Sequence, residues 1–135
     1  EPQGLPDGVT FVACDVLDLA SLRRAFAGAA QVVLTVGFPY DGKVWMEAWP
    51  ITVRNLLEAC EENGARIVFF DNLYMYGPQT APLNETMPLT NYGLKPAARA
   101  EASRIWQEQA IVPVAALRSP DFFGPRVMLS HLGAT

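Results

Sequence analysis

Apolar residues along this chain gather in short runs and helical stripes that take turns. The first run, Gly8 to Ala13, holds Val9, Phe11 and Val12 and reads as a short buried strand ending at Asp15. Asp18 then stands as an N-cap before Leu19, Leu22, Ala25 and Phe26, an apolar stripe at helical spacing that Gly28 stops. Val32 to Val36 is a second strand, broken by Gly37. Val53, Leu56, Leu57 and Cys60 recur at helical intervals within a helix over about residues 44–63, in which Pro50 either starts the regular part or kinks it. Ile67 to Phe70 is continuous rather than alternating, as suits a strand buried on both faces of a parallel sheet. Asp71 and Asn72 follow at its carboxyl end, where open α/β sheets bind ligands, and Tyr76-Gly77-Pro78 closes the run as a turn.

A long connection from Gln79 to about Leu94 carries Pro82 and Pro88; loops of that length are commonly functional. A helix over about 96–109 and a strand from Val112 to Leu117 complete the pattern. Strand and helix alternate throughout, which predicts an α/β fold: parallel strands near 9–13, 31–36, 66–71 and 112–118, joined by right-handed crossovers.

Composition narrows the function. With 135 residues, half of them hydrophobic, the chain reads as one globular domain over 1–135. A net charge of -4 gives no basic footprint for a nucleic-acid backbone. No apolar run approaches the roughly 20 residues of a membrane span, and the first residues lack the features of a secretory signal, so the expected setting is soluble and cytoplasmic. Without that signal the triplet Asn84-Glu85-Thr86 reads as an accidental match to a glycosylation site. Cys14 and Cys60 both read as buried small hydrophobes, and His131 stands without a second ligand, so no metal site is expected.

Four landmarks carry a resemblance. "VFFDNLYMYGP" is similar to the "VFxSSxxVYG" strand of the extended short-chain dehydrogenases/reductases, the NAD-dependent epimerase/dehydratase group, with Asp71-Asn72 at the Ser pair. Asp15-Val16-Leu17-Asp18 resembles the "DxxD" after that family's third strand, Asn55-Leu56-Leu57-Glu58-Ala59 its "NLLEA" helix, and Arg118 to Pro125 its "RxxNVYGP". The resemblance implies a Rossmann-type parallel sheet with flanking helices, binding NAD or NADP. No G-x-G-x-x-G occurs in the chain, so the expected fold is incomplete at both ends, the middle of a longer protein.

It also implies roles. Asp15 and Val16 would hold the adenine, Thr35-Val36-Gly37 would approach the ribose, and Pro120 would pass the nicotinamide. Asp121 stands on the substrate side, and, from the residues themselves, the aromatics Phe38, Tyr40 and Tyr74 near predicted strand ends could floor an apolar substrate pocket. Asn72 could donate to a carbonyl oxygen, and Asp71 could serve as a base; turn hydrogen bonds are the plainer reading of both. Arg118 reads as an anchor paired with a carboxylate.

The family's Tyr and Lys, spaced Y-x-x-x-K, are altered here. Tyr92-Gly93-Leu94-Lys95-Pro96 puts Lys at i+3, and two registers compete. Either Tyr92 and Lys95 are the pair with one residue deleted, or Lys95 stands at the Tyr place with Arg99 at i+4 and no phenol remains; the second keeps the loop length. The expectation is an NAD(P)-dependent epimerase, dehydratase or reductase-like protein acting on a small hydroxylated or carbonyl substrate. Two alternatives stay open: a dinucleotide-binding sensor or scaffold without turnover, and a segment that binds nothing by itself. A homodimer through helices 44–63 and 96–109, with Trp45, Trp49 and Trp106 at its core, is implied by the same resemblance.

Overall fold

The computed structural model describes residues 4–122 and 124. Among them, three strands form a parallel sheet in the order β1 (Gln31–Leu34), β2 (Arg66–Asp71), β3 (Val114–Arg118). The register pairs Val32 with Ile67 and Leu34 with Phe69 on one side, and Phe69 with Ala116 and Asp71 with Arg118 on the other. Three helices alternate with them: α1 (Leu19–Ala25), α2 (Gly42–Asn63) and α3 (Leu94–Gln107), with a short 3-10 turn at Tyr74–Tyr76. The strand–helix alternation expected from the sequence is the fold observed.

The expected first strand is not. Residues 9–13 form no strand, and Val9, Phe11 and Val12 are exposed. A strand is held by its ladder, and no neighbour lies beside this segment among the described residues; hydrophobic pattern alone cannot supply one. Cys14, expected inside, is exposed for the same reason, whereas Cys60 is buried.

The second correction concerns β2, whose residues alternate. Ile67, Phe69 and Asp71 are buried, while Arg66 and Phe70 are exposed. The inward residues join Val32, Leu34, Leu22 of α1, the Trp45–Cys60 stretch of α2 and Ala98 and Ala102 of α3 in one core. Helices therefore cover one face, and Val33, Phe70 and Leu117 stand on the other, 40–57% exposed.

Local chemistry sets the helix ends. Asp18 accepts from the Ala20 N–H, the cap expected of it, and Asp41 accepts from Lys43 and Val44 at the start of α2. Gly64 ends α2 in the left-handed region, φ 62°, where a side chain would be strained. Pro50 lies inside α2, and the helix continues through it, because Trp45, Trp49, Val53 and Leu56 bury one continuous face against the sheet and α3. Trp45 and Trp49 are 6% and 4% exposed, so neither is free to form the expected dimer interface.

Candidate active site

The end of β2 is organised by a buried ion cluster. Asp71 faces the helices, and its carboxylate meets the Arg99 guanidinium of α3 directly; Nε of Arg118 lies 3.6 Å from its other oxygen. Arg99 is stacked 3.7 Å above the Trp49 ring. Burial pulls its pKa below the ordinary arginine range, and the Asp71 charge opposes that shift. Arg118 also donates to the Tyr76 hydroxyl and to Ser103 Oγ, the anchoring role expected of it. Two guanidiniums thus share one carboxylate, and Nε and Nη1 of Arg99 have no hydrogen-bond partner among the described residues. The Asp71 carboxylate is thereby ion-paired to both Arg99 and Arg118.

Asn72 follows the strand and is half-buried. Its amide oxygen accepts from the Tyr74 N–H at 3.3 Å, and its own N–H donates to Asp71 Oδ1 at 2.8 Å. Tyr74 follows on the 3-10 turn, its hydroxyl 3.3 Å from that of Tyr40. Burial raises the Tyr74 pKa, and the Tyr40 hydrogen bond and the Asp121 charge add to it. Lys95 at the start of α3 places its ammonium 3.1 Å from the centre of the Tyr40 ring.

These elements border a cleft of about 710 Å³ at the carboxyl ends of the strands. Thr35 just after β1, Asn72 just after β2, Tyr74 on the 3-10 turn, and Ser119, Pro120 and Asp121 after β3 line it. Of the residues singled out in the sequence, Asp71 and Tyr92 also border it. Lys95 and Tyr40 stand behind Tyr74. Phe38 packs edge-on against Trp49 at 4.9 Å, in the core rather than the cleft. Phe70, Leu83 and Phe122 were not expected there; Phe70 and Phe122 stack at 5.6 Å across β2 and the segment after β3. Phe122, next to Asp121 in an aromatic pair after a strand, was the one signal that pointed to them.

The start of α3 separates the residues of the two registers. Gly93 caps α3 with φ 73°, Pro96 sits in its first turn, and Tyr92 lies outside the helix, 67% exposed. Lys95 and Arg99 are one turn apart on α3, but they reach different partners, Tyr40 and Asp71.

Ahead of α1, the Asp15 loop is held by its own hydrogen bonds. Asp15 is exposed, its Oδ1 accepts from Leu17, and its N–H donates to Ser21 Oγ at 3.0 Å. Asn55 of α2 donates to the Val16 carbonyl at 3.2 Å, tying the loop to the helix. Val36 and Gly37 are exposed, and no atom lies within 4 Å of where a side chain on Gly37 would begin.

The family's sequence profile, NAD dependent epimerase/dehydratase, matches residues 1–133. The chain belongs to the NAD-dependent epimerase/dehydratase family. Solved structures agree in fold. The Bordetella bronchiseptica enzyme WbmG in complex with NAD and UDP is 23% identical with a TM-score of 0.78, over 93% of this chain and 42% of that one. WbmH from the same organism, with NAD+, is 19% identical at 0.80, covering 96% and 46%. UDP-glucose 4-epimerase of Thermus thermophilus, with NAD, is 25% identical at 0.72, covering 90% and 44%. The chain spans less than half the length of each. No curated protein matches the sequence as a relative.

Family membership implies NAD, and the residues fit it in part. The open backbone at Gly37 and the exposed Asp15 suit the nucleoside end, and the strand-end cleft suits the nicotinamide end. For the pyrophosphate, the N-termini of α1 and α2 are both taken by carboxylates, Asp18 and Asp41, while that of α3, behind Gly93, carries no side-chain cap.

Proposed function

We propose that this chain forms the dinucleotide-binding part of an NAD(P)-dependent epimerase, dehydratase or reductase-like protein acting on a small hydroxylated or carbonyl substrate. The observation that carries the reading is that Thr35, Asn72 and Pro120, from the ends of three adjacent parallel strands, open on one cleft. Asp15 and Val16 would hold the adenine, Thr35, Val36 and Gly37 would meet the ribose, and Pro120 would pass the nicotinamide. NAD supplies hydride acceptance and return when bound. The relatives solved with NAD support the cofactor assignment. The outward residues of α2, among them Val44, Met46 and Ile51, are the surface a homodimer through α2 and α3 would use.

A second reading, a cofactor-binding sensor without turnover, is favoured by one observation: the Tyr92 phenol stands outside α3 while Lys95 is held over Tyr40. The test uses the complete protein. Calorimetry is expected to show NAD or NADP binding. Tyr92→Phe is expected to fall well short of the roughly 10²–10⁴ loss of turnover that removing a general base brings, and Lys95→Met to weaken ligand binding. A loss of that full size in Tyr92→Phe, with cofactor affinity intact, would restore Tyr92 as the base.

A further inference from the structure

The charges around the strand-end cleft are sorted by sign. Of the described residues that line it, the charged ones are Asp71 and Asp121, and no Lys, Arg or His is among them. Asp71 is answered within the fold by Arg99 and Arg118, and Arg118 gives its other nitrogens to Tyr76 and Ser103. Two cations of α3 are held elsewhere: the Lys95 ammonium lies 3.1 Å from the centre of the Tyr40 ring, and Arg99 is buried against Asp71 and Trp49. The Asp121 charge does reach the cleft. Burial raises the Tyr74 pKa first, then the Tyr40 hydrogen bond, and the Asp121 carboxylate adds to both, with no cation opposing them. Aromatic rings complete the lining: Phe70 and Phe122, stacked at 5.6 Å, with Tyr74 and Tyr92. Ring faces carry partial negative charge and attract cations. A carboxylate and aromatic rings without a lining cation favour a positive group over the same group uncharged.

The two redox states of a nicotinamide differ by such a charge, since the ring is a cation when oxidised and neutral when reduced. We infer that the cleft holds the oxidised nicotinamide more tightly than the reduced one, with Asp121 as the residue that sets the preference. This rests on the proposed function, which runs the nicotinamide past Pro120, the neighbour of Asp121, and deepens it by making occupancy follow the ratio of oxidised to reduced cofactor. Affinities and reduction potentials close one cycle, so a tenfold preference lowers the potential of the bound couple by about 30 mV. The bound reduced cofactor is then a stronger hydride donor than the free one.

NADH, followed by its own fluorescence, is titrated into the complete protein, and NAD+ is titrated in competition with it; NADPH and NADP+ replace them for a protein that takes the phosphorylated pair. The oxidised form is expected to bind more tightly by on the order of tenfold, the scale of a single charge interaction at the effective dielectric of a protein surface. Asp121→Asn keeps the size of the side chain and makes the local charge more positive by one. It is expected to remove most of the preference by weakening the oxidised form and leaving the reduced form nearly unchanged; Asp121→Lys is expected to reverse it. Damage to the fold would weaken both forms alike, so the ratio separates a charge effect from a structural one. Equal affinity for the two states, tighter binding of the reduced form, or a ratio unchanged in Asp121→Asn overturns the inference and leaves the cofactor reading intact. Binding of neither pair overturns the proposed function, and this inference with it.

Discussion

Cys60 has no exposed surface, and burial pushes its thiol from 9.0 up to about 11. The folded protein therefore keeps a proton that the unfolded chain releases above pH 9. Stability from this proton is complete below pH 9 and is lost as pH rises toward about 11, by at most about 3 kcal/mol. Tyr74, also raised, acts in the same direction at higher pH. Urea unfolding at pH 8 and pH 11 checks this: Cys60→Ala is expected to show a shallower loss between the two than the parent chain. The Asp71 cluster makes a sharper prediction at the same scale. Asp71→Asn leaves two buried guanidiniums without their shared carboxylate and is expected to cost about 3–5 kcal/mol, read as a fall in the urea midpoint. Sequence showed an Asp at one strand end and an Arg at another. That Arg99, 28 residues away, closes the cluster follows from how α3 lies against β2.

Among the elements, α2 is the one that the rest lean on, packing against α1, β2 and α3. It stays whole despite Pro50 because its buried face supplies more than the one hydrogen bond that proline removes. Its start depends on Asp41, whose Oδ1 accepts from Lys43 at 2.7 Å and Val44 at 3.2 Å. Asp41→Ala is expected to cost about 1 kcal/mol, a lower thermal midpoint without loss of helix content by circular dichroism. The helical stripes of α1, α2 and α3 were legible because each buries one face at 3.6-residue spacing. Their ends were less so: α3 begins at Leu94, two residues before the expected start at Pro96, since Gly93 supplies the positive-φ cap. That small difference matters, as it fixes Tyr92 off the helix and Lys95 on it.

At the scale of the molecule the sheet has one covered face and one open one, with Val33, Phe70 and Leu117 on the open side. The N-termini of α1 and α2 carry the carboxylate caps Asp18 and Asp41, and no G-x-G-x-x-G turn occurs in the chain to hold a pyrophosphate. Residues 1–135 expressed alone are therefore expected to bind NAD or NADP weaker by orders of magnitude than a longer protein that carries a Gly-rich turn. Titration calorimetry on both checks it, and equal affinity would place the site wholly within this chain.

The sequence by itself determined the order of strands and helices, the cap at Asp18, and the polar residues that sit at the end of β2. These are local matters: periodicity reflects which face of an element is buried, and caps act within a few residues. Resemblance added the family. Tertiary structure decided which apolar run became a strand, because residues 9–13 have no strand partner among the described residues, and a partner is something no pattern can reveal. It decided that β2 is buried on one face, since continuous hydrophobicity does not say how many layers cover a sheet. It also decided the chemistry of the cleft: Asp71 is bound by arginines from two other elements, and Tyr40 meets Tyr74 across 34 residues of chain. Such pairings depend on how helices dock on the sheet, and the docking is set by the whole core at once.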